Sequence, residues 1–170
     1  DRAFIISNGS SKITVVNRYT FELIGTIESG FKVPRYGVVE NGKAYVTNLN
    51  TFASLTDDYI SVINLSTLTV ESTIAVNAIA DKIVVGNGKL YVANGNYGLG
   101  SSVTVINTST KAIESTIDVG ISPNSMEQED GFLYVLCANY QDASKLVKIN
   151  LTTNQKVSEI TMTGLINAQN

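Results

Sequence analysis

Tyr45-Val46-Thr47-Asn48 returns as Tyr91-Val92-Ala93-Asn94 and again, altered, as Tyr134-Val135-Leu136-Cys137. Ile5-Ile6-Ser7-Asn8 reads as a degenerate copy at the start of the chain. Two further anchors travel with this stretch. One is Val62-Ile63-Asn64, repeated as Val105-Ile106-Asn107 and Lys148-Ile149-Asn150. The other is Ser72-Thr73-Ile74, repeated as Ser115-Thr116-Ile117 and Ser158-Glu159-Ile160, with Gly25-Thr26-Ile27 before them. Ile63, Ile106 and Ile149 stand 43 residues apart, as do Ile74, Ile117 and Ile160. A fixed period of this length is decided by the supersecondary unit it encodes.

Within one period every local signal is strand or turn. In residues 77–120, Lys82-Ile83-Val84-Val85 is a β-branched run and Gly86-Asn87-Gly88-Lys89 carries the Asn-Gly hairpin signal. Leu90–Asn94 and Ser102–Asn107 read as strands on either side of a Gly- and Asn-rich loop. Thr108-Ser109-Thr110-Lys111 reads as a turn, and Ala112–Val119 as a strand with Ile113, Ser115, Ile117 and Val119 on one face. No ten-residue window has the apolar spacing and cap of a helix. Four antiparallel strands per period of about 43 residues are the signature of β-propeller blades, and the fold class is all-β.

Lettering the strands A to D from the channel outward, we expect four blades: about 1–30 lacking strand A, then 31–76, 77–120 and 121–164. Residues 165–170 align with the opening of a further inner strand. An open arc of four blades would expose two apolar faces. We therefore expect a part of a seven- or eight-bladed ring, or a ring completed by a second chain.

Composition excludes several chemistries. The chain has 12 Lys and Arg against 15 Asp and Glu, a net charge of −3, which argues against a nucleic-acid surface. It contains no histidine, which removes His-ligated metals and any Ser–His or Cys–His nucleophile pair within it. Its one cysteine, Cys137, lies in an apolar strand and forms no intrachain disulfide. No run approaches the roughly 18 apolar residues that span a bilayer. No metal or organic cofactor is expected.

Pro34, Asn41-Gly42-Lys43, Tyr45-Val46-Thr47-Asn48, Ser61-Val62-Ile63-Asn64, Thr67 and Ser72-Thr73-Ile74 together resemble the YVTN-type β-propeller repeat family. The third cassette carries the same resemblance through Gly88-Lys89, Tyr91–Asn94 and Ser115–Gly120, and the fourth through Pro123 and Tyr134-Val135. Asn64, Asn107 and Asn150 stand where that family's pattern usually has Asp, and Cys137 replaces the motif Asn. The resemblance implies an extracytoplasmic protein of the periplasm, cell surface or surface layer, mostly without catalytic activity.

Strand direction places the A–B and C–D turns at one end of the ring and the B–C and D–A loops at the other. The B–C loops are unequal, and unequal loops on a rigid scaffold are where binding concentrates. Candidate ligand-binding residues there are Asn50, Asp58, Asn96, Tyr97, Asn139 and Tyr140, with Phe52, Asp57 and Asp142 beside them. Arg35, Asp81 and Asn124, joined by Asn167, take equivalent positions at the start of strand A, facing the channel. The expected function is binding of a protein, peptide or glycan, or scaffolding. The alternatives are a structural surface array, and a lactonase- or quinoprotein-like enzyme with its catalytic residues in further blades.

Overall fold

Thr, Val, Ile and Tyr fill the strand positions, and left-handed Asn-Gly or Asp-Gly pairs close the tight hairpins, so the chain folds as successive antiparallel meanders. The computed structural model describes residues 1–139 and 141–169. The first blade has three strands, β1 (Arg2–Ser7), β2 (Lys12–Asn17) and β3 (Leu23–Ile27). The second has β4 (Val33–Glu40), β5 (Lys43–Leu49), β6 (Tyr59–Asn64) and β7 (Thr69–Ala75). The third has β8 (Ile83–Gly86), β9 (Lys89–Asn94), β10 (Ser102–Asn107) and β11 (Ile113–Asp118). The fourth has β12 (Pro123–Glu129), β13 (Phe132–Cys137), β14 (Lys145–Asn150) and β15 (Gln155–Thr161). Each sheet is ordered as its sequence runs, and one 3₁₀ turn, Asn96–Gly98, is the helical structure among the described residues. The fold is an all-β propeller arc.

The A–B turns are built as the sequence indicates. Asn41 and Gly42 have φ of 49° and 75°, Asn87 and Gly88 51° and 69°, Asp130 and Gly131 49° and 79°. Positive φ at both central residues matches the hairpin to the strand twist. The backbone N–H of Leu65, Thr108 and Leu151 then bonds the carbonyl of Gly42, Gly88 and Gly131, tying each C–D turn to its A–B turn.

The C–D turns hold a device that recurs four times. Asn17, Asn64, Asn107 and Asn150 each accept the N–H groups two and three residues on through the side-chain Oδ1. Four residues on, Phe21, Leu68, Lys111 and Asn154 adopt φ of 55–60° and bond back to the Asn carbonyl. A register shift lies beside each turn, after Val15, Val62, Val105 and Lys148. That bulge corrects the expected alternation of β11. Ile113 pairs with Ile106 and Ser115 with Val105, so Ile113 leaves the face of Ile117 and is exposed.

The first cassette is also corrected, by one residue. Val15 pairs with Phe4 as Val62 pairs with Tyr45, so the degenerate copy is Phe4-Ile5-Ile6-Ser7 and not Ile5–Asn8. Phe4 and Ile6 pack toward the second blade with Ile13 and Val15.

Blades meet through three apolar seams. Ile13, Val15 and Ile27 pack on Ala44, Val46 and Ile63; Tyr45, Ile60, Val62 and Ile74 pack on Leu90, Val92 and Ile106. Tyr91, Val103, Val105 and Ile117 pack on Leu133, Val135, Val147 and Ile149. The inner strands β4, β8 and β12 lie side by side and line the central channel.

Residues 165–169 lie outside the ladders of the four blades. Leu165 accepts the N–H of Ser144 and Asn167 donates to the Asn139 carbonyl, so the segment is held against the B–C loop of its own blade.

Candidate functional site

Three inner strands begin at the same height around the channel, and this brings Arg35, Asp81 and Asn124 together. They line a cavity of about 290 Å³ with Tyr36, Lys82, Ser122 and Pro123, closed on one side by Gly95, Tyr97 and Gly98 of the third blade's B–C loop. It lies on the face carrying the B–C and D–A loops. Arg35 and Asp81 form an ion pair at 2.5 Å, both side chains largely withdrawn from solvent. Burial pushes the Asp81 carboxyl up; the guanidinium beside it and the Gly95 N–H pull it back.

The guanidinium lies near the faces of two rings, 5.9 Å from the centroid of Tyr36 and 5.8 Å from that of Tyr97. The Lys82 ammonium lies 4.6 Å from the Tyr36 centroid. Tyr97 reaches its place through a strained loop: Asn96, Tyr97 and Gly98 have φ of 44°, 51° and 96° in succession. Left-handed conformations are uncommon for a residue with a bulky side chain and are kept where surrounding contacts impose them. Gly95 is required by close approach: a Cβ there would stand 2.8 Å from the Pro123 carbonyl and 3.0 Å from Asp81 Oδ2.

Two polar atoms of this cavity are buried without a hydrogen-bond partner among the described residues. They are Nη1 of Arg35, a donor, and Oδ1 of Asn124, an acceptor. The Asn124 amide nitrogen donates to the Ala168 carbonyl at 3.3 Å, which fixes which end of the side chain is the free acceptor. Buried polar atoms without partners are rare, and each calls for an explanation.

The remaining candidates lie elsewhere. Asp58 is fully buried and cannot face a ligand; this corrects its expected role. Its two oxygens accept the N–H of Asn50 at 3.0 Å and of Ala80 at 2.8 Å, fastening the B–C loop to the D–A loop. Ser144, 86 residues on in sequence, uses its hydroxyl in the same way on Ala168 N–H. Asn50 spends its amide on Asp57. Asn96 shapes the left-handed turn and does not line the cavity. Asn139 accepts the N–H of Gln141 and Asp142 and borders a separate cavity with Cys137 and Lys145. Tyr140 lies outside the described residues.

Lys82, Tyr36 and Gly95 were missed in the sequence. The signal for Lys82 was its place directly after Asp81 at the strand start; nothing local marked Gly95, whose need comes from a carbonyl 28 positions away. Cys137 is buried, donates to the Val119 carbonyl, and is pushed up to about 12 by desolvation, which makes it a packing thiol. No group of three or more acidic or cysteine side chains is placed to hold a metal ion among the described residues.

The fold is shared with 623 chains of known structure. Hydrazine synthase of Kuenenia stuttgartiensis aligns over 98% of this chain and 47% of its own with a TM-score of 0.85 at 17% identity. Dihydro-heme d1 dehydrogenase NirN aligns over 95% and 35% with a TM-score of 0.67 at 12% identity. The glutaminyl cyclase of Myxococcus xanthus aligns over 93% and 65% with a TM-score of 0.61 at 15% identity. The chain thus spans about half the length, or less, of the first two. At such identities the likeness concerns the propeller fold, and one fold carries many functions. No curated protein matches the chain in sequence. Residues 1–170 match throughout the family described as a domain of unknown function, DUF5074, and the chain is a member of that family.

Proposed function

We propose that this chain is a non-catalytic binding propeller of YVTN type that works outside the cytoplasm and takes its ligand at the channel mouth. One observation carries the reading: Arg35 Nη1 and Asn124 Oδ1 are both buried and unpartnered within a single cavity. A partner molecule would satisfy both, and a buried donor or acceptor left unpaired costs about 1–3 kcal/mol. The extracytoplasmic location is supported by the repeat resemblance alone. The non-catalytic reading is supported by the chain's lack of histidine and by a cysteine that is buried and held protonated.

Thermal-shift screening of a metabolite panel tests the reading. The expected result is at least one compound that raises the melting temperature of the protein but not of Arg35→Gln or Asn124→Ala. Asn139→Ala, in the separate cavity, should respond like the parent. Ligands whose effect is unchanged by both channel-mouth variants would overturn the assignment.

A further inference from the structure

The lining groups of the channel-mouth cavity narrow the ligand's chemistry. Arg35 and Lys82 supply two positive charges and Asp81 one negative charge, leaving one positive charge to balance. Asp58, the next carboxylate, does not line the cavity and is engaged by two backbone N–H groups. The unpartnered Nη1 of Arg35 asks for an acceptor, and a carboxylate fits a guanidinium edge best. The unpartnered Oδ1 of Asn124 asks for a donor on the same molecule. Tyr97, whose ring covers Arg35, is exposed at the mouth and offers a surface for an apolar ring face. A space of about 290 Å³ suits a molecule of monosaccharide size.

We infer that this cavity takes a hydroxylated monocarboxylate of the sugar-acid class, with the carboxylate on Arg35 and Lys82 and a hydroxyl on Asn124. The inference rests on the binding function proposed above and names its ligand. A free sugar acid and a terminal uronic acid of an oligosaccharide present the same group.

Isothermal titration of the 170-residue protein tests it, with D-glucuronate, D-gluconate, D-glucose, acetate, inorganic phosphate and a glucuronate-terminated tetrasaccharide. Glucuronate or gluconate should bind at least about tenfold more tightly than glucose and acetate, since removing a charge-assisted pair or a buried hydrogen bond has that effect. Arg35→Gln should abolish the difference between acid and neutral sugar. Lys82→Gln, which leaves the Arg35–Asp81 pair intact, should reduce it severalfold and weaken its salt dependence. Stronger binding of the tetrasaccharide than of free glucuronate identifies a glycan end as the source; equal or weaker binding identifies the free acid. Equal affinity for glucuronate and glucose, or preference for phosphate, overturns the inference. If no sugar acid binds while another compound binds in an Arg35-dependent manner, the ligand class fails and the binding site stands. If no compound depends on Arg35 or Asn124, both fail together.

Discussion

The asparagine that ends the repeated motif explains why that stretch recurs. Asn94 donates to the Ile79 carbonyl at 2.9 Å while its Oδ1 accepts the hydroxyls of Ser102 and Thr104. Asn48 bonds Ser61, whose hydroxyl continues to Gly30. In the fourth blade the Cys137 thiol reaches the Val119 carbonyl. All three tie the end of strand B to the preceding D–A loop, so the motif anchors the face that carries the B–C and D–A loops. Asn94→Ala would strand two hydroxyls and a carbonyl in the interior, and should cost about 1–3 kcal/mol in urea denaturation. Asp58→Asn should cost a similar amount, because its amide nitrogen would face a backbone N–H.

Gly95→Ala makes a sharper test, since its backbone angles suit alanine and only the contact with Pro123 and Asp81 forbids it. It should lower stability modestly and abolish binding at the channel mouth, measured by titration.

Cys137 and Tyr91 set an alkaline limit. Burial pushes the thiol up to about 12 from its model-compound value of 9.0, and the Tyr91 phenol up to about 12 from 10.0. Both groups stay protonated in the folded chain while the unfolded chain ionises. Their contribution is therefore complete below pH 9 and is lost as pH rises from about 9 toward 12. Unfolding free energies measured across that range should fall, and Cys137→Ala should remove the part of the fall that begins nearest pH 9.

At the level of the strand and turn, the repeated C–D turn shows how far the sequence could be read. Its Asn was visible in three blades as Val-Ile-Asn or Lys-Ile-Asn, and hidden in the first as Val15-Val16-Asn17. The left-handed residue four places on was not visible. Phe21, Leu68 and Lys111 carry none of the glycine or asparagine chemistry that announces positive φ, and only Asn154 does. The Asx cap and the bulge impose that conformation from outside the residue. The one-residue slip in the first blade has a related cause. Asn8 imitates the motif Asn, while the pairing of Phe4 with Val15 is fixed by burial that a single strand does not display. The same limit applied to the cavity: strand equivalence brought out Arg35, Asp81 and Asn124, but the closing of a loop over them depends on Gly95 meeting another blade.

The turn also allows a stabilising change. Phe21 is exposed and holds φ of 59°, a conformation that costs an ordinary side chain about 1–2 kcal/mol and that asparagine tolerates. Phe21→Asn should raise the melting temperature, as Asn154 already serves in the fourth blade. An unchanged or lower value would mean that the Phe ring contributes packing beyond its exposed surface.

Across the whole molecule, the outward blade faces at the two ends of the arc carry exposed apolar side chains. Ile117 is 9% exposed where the fourth blade covers it, whereas Ile160, its equivalent in the fourth blade, is 63% exposed. Val46 is 2% exposed against the first blade, and Ile5, its equivalent there, is 51% exposed. The fourth blade's open face differs from the covered ones in one further respect. Lys148 occupies the place where Val15, Val62 and Val105 are fully buried, and its ammonium lies 3.8 Å from the Phe132 centroid and 5.4 Å from that of Tyr134. A lysine at the centre of an apolar seam opposes burial unless the facing surface supplies a charge or an aromatic ring. The two ends are different surfaces, so copies of this chain would join head to tail, closing a ring if the rotation allows and extending if it does not. Expressed as these 170 residues, the protein should show a concentration-dependent mass above 18.2 kDa in sedimentation equilibrium. Ile160→Glu should return it toward the single-chain mass by placing a charge in the contact. Lys148→Val should act in the opposite direction and strengthen association, because it restores the seam of the other blades. A single-chain mass for both the parent and Lys148→Val at tens of micromolar would show that these faces do not pair with each other, and that the covering surface has a different chemistry.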